Sequence, residues 1–449
     1  MNPFRIFLTG PDLPLLASSE EIDRLYKRHR LRIMIAITVG YGLLYTCRLA
    51  LSVVKKPLID GGIFTPEQLG IIGSAIFYAY AFGKLTNGFL SDHMNVKVFF
   101  AFGVLMSALL NIGMGFSTVL WVSIVLWGLN GWAQAFGAPT GAVAMANWFS
   151  PRERGRIYGI WSTAHAIGEG LTFVGVAGLV ALFGWRAGFW GPGLLCIFVA
   201  LGVYLLVQDR PPTLGLPLVA DWKNDHVDEE PKSEAKPGSI WATQRAILKI
   251  PAIWVLALSS ASIYVTRYAI NSWGILYLQE AKGYSLVQAG AIISVNTIAG
   301  ILGAVAYGFS SDKIFNARRP PTNLIFAFVE IVGLMMIFFV PTGGPAFMTV
   351  AFFIYGFGLT GLVTALGGLF AMDIVPRRAA GAVMGFVGVF SYIGAGIQER
   401  VSGILIDNGS TIVDGVRHYD FTNVIWFWVG SSVLSLILAT TLWRVQVRD

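Results

Sequence analysis

The chain has 449 residues, of which 55% are apolar and 13% charged, and it carries a formal net charge of +7. Soluble domains contain about 25% charged residues, so this composition excludes a string of soluble domains and indicates a membrane protein with several spans. The basic residues lie scattered between apolar runs, a pattern that argues for membrane topology and against nucleic-acid binding.

The cysteines and the N-terminal segment exclude further classes. Cys47 and Cys196 both lie in apolar runs, so neither a disulfide framework nor a cysteine metal site is expected. The first 31 residues are too polar for a secretory signal, and the apolar run that follows lacks a small-residue cleavage site. The sequence has no P-loop, no Gly-x-Ser-x-Gly elbow and no His/Cys metal spacing. We therefore expect no enzyme and no cofactor.

Twelve apolar windows are long enough to cross the roughly 30 Å of bilayer hydrocarbon. In chain order they are 32–53, 67–90, 97–117, 120–147, 157–183, 187–207, 252–278, 285–309, 322–341, 345–372, 380–405 and 421–443. The expected fold class is an all-α membrane protein with twelve transmembrane helices.

The positions of the basic residues predict which side each loop faces. With both termini placed in the cytoplasm, most of the 32 lysines and arginines fall in inside segments, as the positive-inside rule requires. The outside loops then hold Lys55, Lys56, Arg186, Lys282 and Arg417. Four basic residues remain within spans: Arg48, Lys84, Arg267 and Arg400.

One long polar connection divides the chain into two halves. Its content of Pro, Glu and Lys is typical of a solvated linker. The predicted organisation is a cytoplasmic N-terminal segment (1–31), a six-helix bundle (32–208), a cytoplasmic linker (209–250) and a second six-helix bundle (251–445).

The two halves repeat each other at an offset of about 220 residues. Residues 45–51 pair with 264–270, 88–92 with 308–312, and 151–155 with 376–381. Two six-helix repeats related about an axis along the membrane normal are the organisation of major facilitator transporters, whose substrate site lies between the halves. This resemblance predicts a major facilitator fold with two pseudo-symmetric halves.

The second of these repeats places an acid on the cytoplasmic side of each half. Asp92 lies near Lys97, and Asp312 lies near Lys313 and Arg318. We interpret the two acids as parts of a conformational latch that holds neighbouring helices until the halves rock. The alternative is a simple interfacial turn.

Cations within the spans are the main candidates for a binding site. An arginine at mid-helix costs about 2.5–3.5 kcal/mol, and Arg48 and Arg267 occupy matching positions in the two halves. Two guanidinium forks facing one cavity suit phosphate or carboxylate oxygens. The alternative is that each arginine pairs structurally with a carboxylate. Lys84 is a third candidate cation, unless it reaches the interface or pairs with Asp92.

Charged and titratable residues on other spans are also candidates. His165 and Glu169 lie one helical turn apart on one face, where the histidine can exchange a proton or donate to an oxyanion. Glu169 and Glu399 can balance the arginines, bind a cationic group or carry a coupling proton. Arg400 pairs with its neighbour or points outward, and Glu330 has no assigned role.

Tyrosines cluster near the two arginines in the sequence, where each supplies a ring and a hydroxyl donor. The group is Tyr41, Tyr45, Tyr80, Tyr264, Tyr268, Tyr355 and Tyr392. Single aromatics in a membrane bundle are more often packing residues, so the group carries the prediction.

Several motifs together resemble one family. They are Tyr45-x-x-Arg48, residues 79–84 running into Ser91-Asp92, Asn130-Gly131-Trp132-x-Gln134, Asp209-x-Pro211, residues 215–217, residues 264–268 with Trp273, and residues 392–394. The chain resembles the organophosphate:phosphate antiporter family of the major facilitator superfamily. This resemblance implies that Arg48 and Arg267 bind a phosphoryl group, that His165 assists, and that Lys84 and the tyrosines other than Tyr268 tune the site.

The resemblance also implies a mechanism and partners. A rocker-switch carrier exchanges an organic phosphate ester for inorganic phosphate across the inner or plasma membrane, and a monomer suffices because one chain holds both halves. The sequence departs from the family pattern at Gly137-Ala138-Pro139, Glu169 and Glu399, which bear on the organic part of the substrate. Two alternatives stay open: a proton-coupled carboxylate carrier, and a sugar-phosphate sensor without transport.

Overall fold

The structure, a computed structural model, describes residues 3–16, 18–226, 248–316, 318–341, 344–375, 380–414 and 416–443. The helices of the first half are α1 (Ser19–Asp60), α2 (Pro66–Ser91), α3 (Val96–Phe116), α4 (Leu120–Gln134), α5 (Gly137–Trp148), α6 (Pro151–Leu171), α7 (Ala177–Phe183) and α8 (Ala187–Leu206). A π-helical turn, Thr172–Val176, joins α6 to α7. A short helix, α9 (Val219–Lys223), begins the connection to the second half.

The second half consists of α10 (Pro251–Glu280), α11 (Leu286–Phe309), α12 (Arg319–Phe339), α13 (Pro345–Thr364), α14 (Phe370–Ile374), α15 (Ala380–Asn408) and α16 (Thr422–Thr441). Between α15 and α16 an antiparallel hairpin pairs β1 (Ser410–Val413) with β2 (Val416–Tyr419), which the sequence analysis did not predict. Eleven helical segments among the described residues are long and apolar enough to span a membrane. The all-α fold class is confirmed.

The fourth of the twelve predicted spans is broken, so it is not among these eleven segments. Window 120–147 contains α4 and α5, of 15 and 12 residues, separated by Ala135 and Phe136. Pro139 explains the break. Its nitrogen has no hydrogen to donate to the carbonyl of Ala135, and its ring clashes with that carbonyl. Together α4 and α5 supply the length of one crossing.

The first helix is much longer than predicted. It begins at Ser19, capped by the Ser18 hydroxyl, rather than at residue 32. A hydropathy window detects only the apolar part of a helix, so the polar turns before residue 32 were assigned to the cytoplasmic N-terminal segment.

The start of the linker packs on the first half. The Tyr26 ring stacks on Trp222 with centroids 4.1 Å apart, and the Trp222 indole donates to Asp23 at 2.6 Å. Arg152 pairs with Asp225 at 3.4 Å. The remainder of the linker, 227–247, lies outside the described residues, as do the repeat motif at 376–379 and residues 444–445.

The two halves meet along α2 with α15, α1 with α10, and α6 with α11. The α2–α15 contact is close because Gly70 and Gly403 face each other. A Cβ atom at Gly70 would lie 2.6 Å from the Glu399 carbonyl oxygen, and one at Gly403 would lie 2.9 Å from the Gly70 Cα. Only glycine permits this approach of the two backbones.

Candidate functional site

Arg48 lies on α1 near the centre of the bundle and is 4% exposed. Its guanidinium carbon is 4.1 Å from the ring centroid of Tyr80, 5.2 Å from that of Tyr45 and 5.4 Å from that of Tyr392. Its Nε and Nη2 have no hydrogen-bond partner among the described residues. Aromatic faces stabilise the cation, and the Nε and Nη2 donors stay available to an anion.

A polar network holds the backbone of α1 next to Arg48. The Asn130 amide donates to the Cys47 carbonyl at 3.2 Å, and the Gln134 amide donates to the Leu44 carbonyl at 3.0 Å. Ser107 joins both side chains, at 2.6 Å from Asn130 and 2.7 Å from Gln134. All of these side chains are buried, so the network fixes the position from which Arg48 projects.

Arg267 lies on α10, and its environment differs from that of Arg48, its counterpart in the first half. Its Nη2 is 3.5 Å from Glu169 Oε2, and Asn271 donates to the other Glu169 oxygen at 2.7 Å. Tyr264 and Tyr268 place their ring centroids 5.7 and 5.6 Å from its guanidinium carbon. The carboxylate pairing considered for both arginines is thus formed by Arg267 and, within the described chain, not by Arg48.

Tyr392 on α15 links the aromatic residues of the two halves. Its ring centroid is 4.5 Å from that of Tyr80, 5.7 Å from that of Tyr264 and 6.5 Å from that of Tyr268. The Lys84 ammonium is 5.2 Å from the same ring. Lys84 therefore lies beside the aromatic cluster rather than in an ion pair with Asp92.

The remaining candidates are His165, Tyr41 and Tyr355. The His165 ring lies 5.8 Å from Tyr45, and Tyr41 stacks on Trp161 with centroids 4.7 Å apart. The Tyr355 hydroxyl donates to the backbone carbonyl of Thr266 at 3.2 Å, so it supports α10 next to Arg267.

A buried ion pair was missed because Lys55 was assigned to an outside loop. That assignment is wrong: Lys55 lies inside α1, 3.0 Å from Glu399, and both side chains are 1% exposed. Lys55 also contacts Ser272 Oγ at 2.6 Å and the Trp273 ring at 3.3 Å. The available signal was the spacing, since Lys55 follows Arg48 by seven residues and so lies on the same helix face.

Other charged residues find partners that the sequence did not specify. Arg400 pairs with Glu67 at 2.9 Å rather than with its neighbour, and Lys56 pairs with Glu280. Both pairs, like Lys55–Glu399, join the two halves. Glu330, which had no predicted partner, accepts a hydrogen bond from Ser432.

The two predicted latch acids differ in their contacts. Asp312 pairs with Arg319 at 2.8 Å, and Arg319 also binds Asp373 at 2.7 Å, so Lys313 and Arg318 are not its partners. Asp92 caps the end of α2 and has no cation within 4.0 Å in the described part of the chain. Lys97 lies instead over the Tyr204 ring.

One cavity connects the polar elements of the two halves. Its walls include Arg48, Phe77, Tyr268, Ser272 and Glu399. A guanidinium, a carboxylate and aromatic rings therefore line the same cavity.

Comparisons with known proteins agree with this architecture. The family model described as Major Facilitator Superfamily matches residues 21–398. A solved bacterial homologue of the human lysosomal transporter Spinster, inward-facing and unoccupied, has the same fold, with a TM-score of 0.77 and 16% identity over 94% of this chain and 99% of its own.

Curated relatives are closer in sequence. The membrane sensor protein UhpC of Salmonella typhimurium is 35% identical over 87% of this chain and 89% of its own. The glycerol-3-phosphate transporter of Bacillus subtilis is 30% identical over 99% of this chain and 98% of its own. The chain belongs to the Major Facilitator Superfamily and, within it, to the organophosphate:phosphate antiporter family that the motifs predicted. It is a multi-pass membrane protein of a transport family rather than an enzyme.

Proposed function

We propose that this protein exchanges an organic phosphate ester for inorganic phosphate across the inner membrane, with the phosphoryl group bound by Arg48 and Arg267. The observation that carries the proposal is Arg48, a buried guanidinium whose Nε and Nη2 donors have no partner in the described structure. Buried donors left unpaired cost about 1–3 kcal/mol each, a cost that an oxyanion removes on binding.

The charge of the site favours a dianion over a monocarboxylate. Arg48 and Glu399 line the cavity, and Lys55 and Arg267 contact residues that line it. Lys84 lies beside Tyr392, and Glu169 pairs with Arg267, so the site holds four cations and two carboxylates. With His165 counted as neutral, the net charge is +2, equal and opposite to that of a phosphate monoester. A monocarboxylate would leave one positive charge uncompensated in a low-dielectric site, which argues against the proton-coupled carboxylate carrier.

The mechanism follows from where the arginines lie. Each half contributes one, so an anion bound to both draws α1 and α10 together, and the halves can rock around it. His165, Lys84, Tyr41, Tyr45 and the other tyrosines of the cluster assist binding from around the two arginines, with Asp92 and Asp312 on the cytoplasmic side. Both termini are cytoplasmic in this proposal, and the monomer is the transporting unit.

The test is counterflow in proteoliposomes loaded with labelled inorganic phosphate. Adding phosphate or an ester outside should release the label. Arg48→Lys or Arg267→Lys should reduce release at least tenfold, because a lysine cannot form a bidentate hydrogen bond with phosphate. Arg400→Lys is the matched control, since its partner Glu67 lies outside the cavity. If label is retained in wild type under every ester, exchange is ruled out.

A second candidate function is sensing, favoured by the 35% identity to a membrane sensor protein. A sensor binds the ester at the same arginines and transmits the change in conformation to a partner. Equilibrium binding of a labelled sugar phosphate to the purified protein separates the two functions. Binding lost in Arg48→Lys, without any counterflow in wild type, identifies a sensor.

A further inference from the structure

The first described residues form a strap, residues 3–16, across the end of the bundle at which α1 begins. The Asn95 amide donates to the Phe7 carbonyl at 2.7 Å, and Leu8 pairs with Met94 in an isolated antiparallel bridge. Asn95 is also the N-cap of α3. These backbone bonds hold the strap beside the first turn of α3 and thereby fix the directions of its side chains.

Further along the chain, the strap is bonded to the segment that follows α8. The Leu13 amide donates to the Pro212 carbonyl, and the Leu16 amide donates to the Gly215 carbonyl, both at 2.9 Å. Helices α3 and α8 pack against each other, so the strap crosses the ends of two neighbouring spans. A segment held by backbone bonds in two places is part of the folded bundle rather than an unattached polar tail.

Ring contacts show how deep the strap lies relative to the bilayer. Lys97, in the first turn of α3, lies 4.5 Å from the centroid of the Tyr204 ring, and lysine and tyrosine at helix ends mark the headgroup level. Phe102 follows Lys97 by five residues, roughly 7–8 Å further into the span. The Phe7 ring packs edge-to-face on Phe102 with centroids 5.3 Å apart. Phe7 therefore lies deeper than the headgroup level.

The face of α3 that Phe7 contacts is exposed and apolar. Phe102 and Leu109 lie on this face, seven residues apart, and both are exposed. In a multi-pass membrane protein, an apolar helix face that the bundle leaves open contacts lipid. Ile6 and Leu8 flank Phe7 and are each more than half exposed, so they extend this apolar surface beyond the helix.

The charges of the strap are compatible with an anionic lipid surface. Arg5 is exposed and precedes the apolar residues, and its side chain is long enough to reach lipid phosphates while its neighbours lie deeper. Asp12, the acid of the strap, pairs with Arg210 at 2.8 Å. The strap therefore presents no uncompensated negative charge to the membrane.

We propose that Ile6, Phe7 and Leu8 insert into the lipid leaflet on the side where α1 begins, with Arg5 at the headgroups, and that they anchor the first half of the protein to that leaflet. That side is the cytoplasmic one in the topology proposed above. Part of the predicted cytoplasmic N-terminal segment thus lies in the membrane surface. The inference goes beyond the proposed function and does not depend on it.

Spin labels measure this depth directly. Leu8→Cys in the background Cys47→Ala/Cys196→Ala carries a nitroxide, and the purified protein is reconstituted into vesicles of phosphatidylethanolamine and phosphatidylglycerol. The nitroxide's collision rate with oxygen, which concentrates in lipid, is compared with its rate for a nickel chelate, which stays in water. Leu109→Cys is the lipid reference. Glu20→Cys, at an exposed residue in the first turn of α1, is the water reference.

We expect the ratio of oxygen to nickel collision rates at Leu8→Cys to exceed that at Glu20→Cys by at least about threefold and to approach that at Leu109→Cys. A smaller difference overturns the inference. Exclusion of both reagents also overturns it, because protein then covers the residue, and dipolar broadening would identify that protein as a second copy of the chain. If the cysteine-free background does not fold, the labels enter the native background, where Cys47 and Cys196 are buried and inaccessible to the labelling reagent.

Discussion

Glu169 and Arg267 face each other across the two halves of the protein, with Oε2 and Nη2 3.5 Å apart. Asn271, one turn beyond Arg267 on α10, fixes the carboxylate by donating to its other oxygen at 2.7 Å. The carboxylate thus occupies part of the space in which Arg267 would meet an anion. In the proposed function Glu169 therefore competes with the substrate for Arg267, whereas Arg48 has no carboxylate partner among the described residues.

Removing this competitor should tighten anion binding. In Glu169→Gln the side chain still accepts from Asn271, but the site charge rises by one, so we expect phosphate affinity to increase about tenfold and exchange to slow because release becomes harder. Isothermal titration with phosphate and the counterflow rate measure the two effects. Glu330→Gln neutralises a buried carboxylate that bonds Ser432 and should change neither.

The network below Arg48 should affect binding as well as stability. Asn130→Ala leaves the Cys47 carbonyl and Ser107 hydroxyl without their partner, at a cost of about 1–3 kcal/mol. We expect phosphate affinity to fall about tenfold, because α1 no longer holds Arg48 in position. Asn111→Ala is the control: it loses a comparable bond to the Phe189 carbonyl, so it should lower the melting temperature but leave affinity unchanged.

An aromatic stack contributes to the docking of the linker on the first half. Trp222→Ala removes the ring that covers Tyr26 and the donor that binds Asp23. A stacked pair contributes about 0.5–1.5 kcal/mol beyond its buried area, so we expect the segment around Trp222 to be cleaved several times faster by a protease. Trp443→Ala, at an exposed residue after α16, should show the wild-type cleavage rate.

Asp209 should give stability an unusual pH dependence. Its Oδ1 accepts from the Val96 amide at 2.9 Å, while burial raises the pKa of the carboxyl above the ordinary 3.8. The folded protein therefore keeps this proton where the unfolded chain has released it. The contribution of Asp209 to stability is largest at low pH and falls as pH rises from 3.8 through the raised pKa. The stability of Asp209→Asn relative to wild type should increase over that interval, as melting temperatures would show.

Asp420 should give stability the opposite pH dependence. Hydrogen bonds from the Thr422 side chain and from the Thr422 amide, the latter at 2.8 Å, lower the pKa of Asp420 at the start of α16. Its contribution is therefore present above pH 3.8 and is lost as pH falls through the lowered pKa. Asp420→Asn should lose stability relative to wild type as pH rises, the reverse of the Asp209 result.

The helices could be predicted and the two arginines singled out because both rest on strong local signals in the sequence. An apolar run of 20 residues has few alternatives in water, and Arg48 and Arg267 stand out within such runs. Lys55 was missed because the first window stopped at residue 53, so a lysine just beyond it was counted as a loop residue. Its burial depends on Glu399, 344 residues away, and no local pattern reports that contact.

The direction in which each side chain points was the second property that the sequence could not predict. Tyr355 and Tyr392 are both buried tyrosines in apolar helices, yet one supports α10 and the other joins the central aromatic cluster. Helical periodicity separates a polar face from an apolar face, but α13 and α15 present apolar residues on most sides. Only the packing of the two halves shows which tyrosines face the cavity.

The glycine contact between α2 and α15 limits how this sequence can evolve. A methyl group at Gly70 would meet the Glu399 carbonyl oxygen at 2.6 Å, and one at Gly403 would meet the Gly70 Cα at 2.9 Å, so neither position accepts even alanine without moving a helix. This restriction is steric, so it applies whatever substrate the protein binds. Descendants of this chain that change substrate, or that give up transport for signalling, should therefore keep these two glycines while side chains elsewhere diverge.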